Sequence, residues 1–507
     1  MSATGVLEKS ALDQTQPRPP VRQISARTWT NTLQAAAVLI AIALSCWIAV
    51  AQVLVPPAVV PANALPTAFS GERAMAYLPI IAAKPHTVGS AAQARVREYL
   101  LQEIRSLGLE PVTQDSTGAV SSRTGVFASH LQNVLVRLPG TGSTGAVVLM
   151  AHYDSQPNTP GASDNGSAVA ALLESMRALN AGPALRNDVI FVFTDAEEAD
   201  AVGAEAFFWQ RPWARDVRLV VNFEAAGDTG AAVLLATSPG DLSLVEGFVQ
   251  AVPHPLVNSY LTQLGSVMPF GTDMTVFVEN GVAGVSPIYG WHYRTLYHSV
   301  LDNVGKLDAR SVQHQGENAV GLARYFGSQD LRQLDRSQNA IAFSLAPGVT
   351  AVYLASWAVP LAMLAGMLLF ATIAIGLRKR TLSLRGSLAG VGVAVAAVLI
   401  ALLLSGLVWI GISRMHPEFW RNIMGAPYAA DWYLAGFVAL VAAATTTVLL
   451  ALRRWISAQD LSIGAAAMWT VMAALSAISL PGASYVLTWP AVLLDVVLVA
   501  WFVWPNK

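Results

Sequence analysis

The chain has 507 residues, of which 54% are apolar and only 12% charged; a soluble domain carries about 25% charged residues, so a wholly soluble protein is excluded. Lys+Arg 31 against Asp+Glu 32 leaves a formal charge of -1, with no basic surplus to neutralise a phosphate backbone, so nucleic acid is not an expected partner. The single cysteine, Cys46, lies in an apolar run, which excludes a disulfide framework and a cysteine-based zinc site and leaves His and carboxylate to hold any metal.

Residues 1–31 are polar, with Lys9, Arg18, Arg22 and Arg27 ahead of an apolar stretch from Leu33 to Val55. That stretch is long enough for a bilayer core, which takes about 20 residues. Ala62-Asn63-Ala64 looks like a signal-peptide cleavage site, but the apolar run exceeds the h-region of about 7–15 residues, so the reading is a cytoplasmic tail (1–31) and an uncleaved anchor (32–55). Pro56, Pro57, Pro61 and Pro66 mark a stiff linker over 56–69.

The segment 70–345 alternates helix-like and strand-like stretches. Ala92–Leu107 has helical periodicity, while Ala146–Ala151, Asp188–Thr194 and Leu219–Phe223 are short apolar runs of buried-strand type. The expected fold is α/β, a mixed, largely parallel sheet flanked by helices. Beyond it, residues 347–507 hold 13 of the 63 charged side chains and contain five further candidate spans: Val349–Leu377, Leu388–Ile412, Trp432–Leu452, Ile463–Leu480 and Tyr485–Trp504. Arg378, Lys379, Arg380 and Arg385 share one short loop and Arg453 and Arg454 another. Six spans with these loops and the N-terminus inside put 70–345 on the far side of the membrane, read as periplasmic or extracellular at a bacterial inner membrane. Asp495 falls inside the last span, where an ionisable group is either functional or hydrogen-bonded within the bundle.

Three of the strand-like runs end in imidazole or acidic side chains. VVLMAHYDS ends in His152 and Asp154, VIFVFTDAEE in Asp195, Glu197 and Glu198, and VVNFEAAG in Glu224; Asp164 stands in the Gly-rich loop GASDNGS and His298 in LYHSVLDN. Ligands of open α/β sheets bind beyond the carboxyl ends of strands, so these groups converge on one edge, a set suited to divalent zinc, cobalt or manganese. Singly, each is more simply a structural histidine or a helix cap. In combination, an HxD, a DN loop, an EE pair and a further Glu are hard to explain by chance. His86, His130, His254, His292 and His314 lack a motif and read as structural or solvent-facing.

With these motifs, and PHTVGS at Pro85–Ser90, residues of about 70 to 330 resemble the two-zinc aminopeptidases of the MH clan, in particular their membrane-anchored branch of vacuolar-membrane and endoplasmic-reticulum metallopeptidases. The resemblance implies that His152 and Glu224 bind one zinc, Glu198 and His298 the other, and Asp164 bridges both. Glu takes the place of the Asp usual in secreted members at position 224, as in the membrane branch. Glu197 takes the position of the general base, and Asp154 would orient His152 from behind. The Asp164-Asn165 peptide is expected to be cis. Asp273 in FGTDMTVF resembles a substrate-side or supporting acid, with helix N-cap as its alternative; Asp302 is a supporting acid or a cap. Tyr289, Tyr293 and Tyr297 are all candidates to stabilise the oxyanion.

Two cations sharing a carboxylate and a water would lower the pKa of that water towards neutrality, and a carboxylate beside them, Glu197, would shuttle the proton to the leaving amine. The resulting expectation is a membrane-bound zinc metallo-aminopeptidase with two zinc ions per chain, acting on peptides with free N-termini beside the lipid bilayer. The alternative is an inactive peptidase-fold binding or chaperone module, against which the full set of ligand positions counts. A transporter with an outer sensing domain has only Asp495 in its favour. A glutaminyl cyclase would not need a second metal, and so would not need His152 and Glu224 together.

Overall fold

The computed structural model describes residues 26–122, 125–267, 271–421, 427 and 429–504. The chain divides into two units, Met1–Val50 and Ala51–Lys507. The apolar run expected from Leu33 lies in a helix that covers Ala26–Leu54.

The larger unit contains an eight-stranded sheet. Its strands are β1 (Val112–Ser122), β2 (Gly125–Leu138), β3 (Ala146–His152), β4 (Asp188–Thr194), β5 (Val217–Asn222), β6 (Glu224–Ala225), β7 (Val233–Thr237) and β8 (Ala283–Tyr289). The order is β1-β2-β4-β3-β5-β8-β6, with β7 also paired to β8. Strands β4, β3, β5, β8 and β6 run parallel, while the β1-β2 hairpin and β7 join antiparallel. The sheet is mixed and largely parallel, as the alternation of elements implies.

Every residue of β3 and β4 is buried, because helices cover both faces, and this is why these strands read as unbroken apolar runs. Val147, Leu149 and Ala151 pack with helices Ala91–Ser106, Ala168–Asn180 and Ala309–Ser328 on one side. Their neighbours Ala146, Val148 and Met150 pack with Val202–Gln210 and Asp273–Glu279 on the other. The two-residue period of a strand thus feeds two cores at once.

Two expectations change at the borders of this domain. The stretch expected as a stiff linker packs on the domain: Val60 N–H donates to Gln313 Oε1 at 3.0 Å, the Ser70 hydroxyl to Val60 O at 2.8 Å, and Phe69 is buried. Val349–Leu377 is not one span. It opens as strand β10 (Val349–Leu354), paired antiparallel with β9 (Ala340–Ala346), and its helix begins only at Ala358. β10 satisfies its backbone by pairing with β9, which the hydropathy average over a long window hides.

Among the described residues, five helices are long and apolar enough to cross a membrane: Ala355–Arg378, Leu384–Met415, Ala430–Leu452, Ala458–Ser479 and Tyr485–Val503. Small residues such as Ala365, Ala473 and Ala491 sit where the helices meet, as close packing in lipid requires. Asp495 is fully buried and accepts from the Thr470 hydroxyl at 3.3 Å. The α/β domain is fastened to the end of the bundle opposite the basic loops. Ser259 Oγ donates to Gly482 O at 2.7 Å, Tyr485 OH to Asn258 Oδ1 at 2.9 Å, and the Phe343 and Tyr485 rings stack at 4.3 Å.

Candidate metal centre

Strands β3, β4, β5 and β8 end together at His152, Thr194, Asn222 and Tyr289, at the carboxyl edge of the sheet. His152 Nδ1 lies 3.0 Å from the Asp154 carbonyl oxygen and 3.5 Å from Asp154 Oδ1. The ring therefore presents Nε2 to the acids, 3.3 Å from Asp164 Oδ1, 3.5 Å from Glu224 Oε2 and 3.8 Å from Glu197 Oε2.

Beyond β4 the chain must turn sharply to place two adjacent carboxylates. Asp195 staples the turn by accepting from Gln132 N–H at 2.8 Å, from Tyr153 OH at 3.3 Å and from the Gln93 side-chain amide. Ala196 then adopts a left-handed conformation, φ 57, uncommon for a residue with a Cβ. The Asp154 carboxylate accepts the N–H groups of Glu197 at 3.1 Å and Glu198 at 3.3 Å. Asp154 thus holds the Glu197-Glu198 backbone, and its own carbonyl is the nearer partner of His152. Its carboxylate also stays beside the imidazole, 3.5 Å from Nδ1, where it was expected to support the ring.

Asp164 lies in an irregular turn, Ala162–Ser167, that leads into helix Ala168–Asn180. Its peptide bond to Asn165 is cis, as the resemblance implies. Gly161 enters the turn at φ 68, and a Cβ there would lie 2.7 Å from the Asp164 carbonyl oxygen, so only glycine fits the approach. Asp302 fixes the turn from below, accepting Ser163 N–H at 2.6 Å and Asp164 N–H at 3.1 Å. Glu224 is oriented by Asn165 Nδ2 at 2.8 Å and Asn222 Nδ2 at 3.0 Å. His298, at φ 54, places Nε2 3.2 Å from Asp164 Oδ2 and 3.3 Å from Glu198 Oε2.

Two groups of potential ligands result, His152, Asp164 and Glu224 in one and Asp164, Glu198 and His298 in the other, with the ligand atoms of each within 4.8 Å of one another. Asp164 belongs to both. Among the described residues, the ion-pair partners of these carboxylates are the two imidazoles alone. Asp164 Oδ2, Glu198 Oε1 and His298 Nε2 are buried without a hydrogen bond. A buried acidic cluster with no Lys or Arg partner and orphaned ligand atoms needs cationic charge, and the imidazole and carboxylate donors suit zinc, cobalt or manganese.

The electrostatics agree. Burial, reinforced by Glu224, Asp273 and Glu198, pushes the Glu197 carboxyl well above the usual carboxylate range, with His152 opposing. Burial works against charge on His152, but Glu197, Glu224, Asp154 and Asp164 outweigh it and hold its pKa well above the usual value. Burial also works against charge on His298, but the Asp164 and Glu198 carboxylates close to its Nε2 outweigh it and raise its pKa to about 9.

The tyrosines separate clearly. Tyr289 is buried and its hydroxyl donates to Ser167 Oγ at 2.7 Å, so it pins the turn and leaves the oxyanion candidates. Tyr293 carries the Arg294 guanidinium 4.9 Å from its ring centre. Tyr297 stacks on the His298 ring at 3.7 Å; burial and the charges of Asp164, Glu197, Glu198 and Glu224 all raise its pKa. Asp273 is buried, and its Oδ2 accepts from the Thr194 hydroxyl. The cap of its helix is Thr272, one residue before the position expected for a cap; burial raises the Asp273 carboxyl to about 7. Likewise Asp308, not Asp302, caps helix Ala309–Ser328.

Sequence reasoning missed Asn165, Asn222, Gln156 and Thr194. Gln156 Nε2 donates to Glu198 Oε2 at 2.8 Å. Asn165 and Asn222 stand next to, or two residues from, a flagged carboxylate, and that adjacency was the available signal. His86 and His314 are buried, while His130, His254 and His292 are exposed and pair with Asp115, Glu317 and Asp228.

Similarity to known proteins is confined to part of the chain. Residues 133–323 match Peptidase family M28. The chain is 31% identical over 285 residues to Endoplasmic reticulum metallopeptidase 1 of Rattus norvegicus, covering 52% of this chain and 31% of that protein. It is 30% identical over 270 residues to a Vacuolar membrane protease of Candida dubliniensis, covering 52% of this chain and 28% of that protein. The chain therefore spans only about a third of the length of the curated relatives it matches. A Zn-dependent exopeptidase from Parabacteroides distasonis is a structural neighbour at 18% identity and a TM-score of 0.40, over 50% of this chain and 98% of that one.

Proposed function

Starting from a chain that carries a peptidase family M28 domain joined to five helices able to cross a membrane, we propose that it is a membrane-bound zinc aminopeptidase with a dinuclear centre. The observation that carries this reading is the pair of ligand groups sharing Asp164, with Glu197 beside them and in neither. His152, Asp164 and Glu224 would hold one zinc ion, and Asp164, Glu198 and His298 the other. Bound there, two divalent cations supply Lewis acidity and a nucleophile at neutral pH.

The remaining work falls to the chain's own groups. Glu197 takes the proton of the attacking water on its carboxylate and returns it to the nitrogen of the leaving amine. The amides of Glu197 and Glu198 stay fixed on Asp154, so the two carboxylates keep separate tasks. Tyr297 donates its hydroxyl to the oxygen on which charge develops. Glu197 and Glu198 stand on the turn just beyond β4, which Asp154 and Asp195 hold in place by their hydrogen bonds, as a preorganised site requires. The sidedness follows from the basic loops: the peptidase domain lies on the extracytoplasmic face, at a bacterial inner membrane.

Metal analysis of the full chain, coupled to release of free amino acids from a mixture of unblocked peptides, tests this reading. N-terminally acetylated copies of the same peptides should resist. Equal cleavage of blocked and free peptides would remove the aminopeptidase assignment, and no release at all would favour the binding-module alternative.

A further inference from the structure

The segment that carries His298 reaches the membrane bundle through Arg294. Downstream of β8, the chain forms a short helix, Tyr293–Leu296, directly followed by Tyr297 and His298, whose rings stack. On that helix, Arg294 Nη1 lies 4.0 Å from Asp431 Oδ1, and Asp431 is in the first turn of the Ala430–Leu452 helix. That helix packs along the Leu384–Met415 helix, where the Phe437 and Trp409 rings meet at 6.4 Å, and none of its residues is fully buried.

The neighbourhood of Asp431 has the character of a membrane-water boundary. Trp432 is 80% exposed, Tyr433 packs edge-on against Phe419 at 5.9 Å, and Phe419 stacks on His416. Aromatic and amphipathic side chains collect at headgroup depth. The rim of the candidate centre adds its own apolar surface: Val300 and Leu301, next after His298 and Ser299, are 67% and 43% exposed. In water such a rim is unfavourable, whereas beside headgroups and acyl chains it is buried.

The height of the site is also fixed. The contacts of Ser259 with Gly482, Asn258 with Tyr485 and Tyr353 with Trp489 at 3.3 Å seat the domain on the bundle at a second place, away from the Arg294-Asp431 pair. A domain held at two separate places does not swing on its tether.

We infer that this centre acts on peptides whose N-termini are free and whose bodies are held in the bilayer, such as the stubs of cleaved membrane segments. This rests on the peptidase reading and narrows its substrate class. Charge is consistent with it: a free N-terminal ammonium approaching along the membrane meets the acidic cluster, and the apolar residues that follow meet Val300 and Leu301.

A molecular ruler tests it. The full chain is reconstituted in phosphatidylglycerol/phosphatidylcholine nanodiscs with peptides that share one N-terminal sequence and one transmembrane anchor, separated by spacers of about 6, 12 and 24 residues, which reach roughly 20, 40 and 80 Å when extended. A soluble copy lacking the anchor is run beside them. The inference expects the shortest spacer to be trimmed at least as fast as the longest, and roughly tenfold faster than the soluble copy at equal bulk concentration. A Val300→Ser/Leu301→Ser variant should lower the ratio of anchored to soluble turnover several-fold. Trimming of the soluble and longest-spacer peptides with the shortest one untouched would overturn the inference, as would a ratio unmoved by the double variant. If no peptide of any kind is trimmed, it is the peptidase reading itself that fails.

Discussion

Asp302 Oδ2 accepts the backbone N–H of Asp164 at 3.1 Å, so a buried acid that touches neither imidazole determines where the shared carboxylate stands. Its other oxygen takes the Ser163 N–H, and burial raises its carboxyl to about 7. Asp302→Ala should leave two buried amides unpaired and loosen the turn, weakening metal affinity by about 10–100-fold. Isothermal titration of the stripped protein with zinc measures this. Affinity equal to the parent would show that the turn holds itself.

Glu197 belongs to neither ligand group. Glu197→Gln should lower kcat by about 10²–10⁴-fold, the usual worth of a positioned proton acceptor, while metal content by atomic emission stays at the parent value. Parallel loss of metal would reassign Glu197 to ligation.

Tyr297 and Tyr289 should part ways on removal of their hydroxyls. Tyr297→Phe is expected to reduce kcat by about 10²-fold or more with little change in stability. Tyr289→Phe should instead cost about 1 kcal/mol of stability through its lost bond to Ser167. Melting curves and steady-state kinetics on both variants separate the two roles; the opposite pattern would exchange them.

His314 supplies a pH dependence remote from the centre. Its Nδ1 accepts Ala232 N–H at 3.0 Å, its Nε2 donates to His254 O at 2.9 Å, and burial lowers its pKa to about 4. The folded state favours the neutral ring, so this stabilisation is complete above the unfolded value of 6.5 and is lost as pH falls towards about 4. The loss reaches about 3 kcal/mol. In chemical denaturation of the detergent-solubilised chain, the stability gap between the parent and His314→Gln should narrow between pH 7 and pH 4.5. A gap independent of pH would place the titration elsewhere.

The strands that carry the centre were legible because full burial on both faces writes itself as apolar runs, and each run stops at a polar residue the site uses: His152 after β3, the acidic pair after β4, Glu224 after β5. The β1-β2 hairpin was not legible. VTQDSTGAVSS has too few apolar residues for a period, and its pairing is supplied by the long partner strand. The start of the first bundle helix was misplaced for the reverse reason, since β10 is apolar enough to pass for membrane. Asp154, Tyr289 and Asp302 stand out in the sequence, but what each one touches depends on how a turn folds back, as with the Asp302 contact to a residue 138 positions earlier. Spacing along a chain does not encode that.

The claim everything else leans on is that Asp164 is common to two cation sites. Metal-to-protein ratios of the parent, His298→Ala and Asp164→Asn, measured after identical zinc loading and dialysis, address it directly. The account predicts a ratio near two for the parent, near one for His298→Ala and close to zero for Asp164→Asn. A parent that binds a single ion, or an Asp164→Asn protein that keeps the parental ratio, would contradict it.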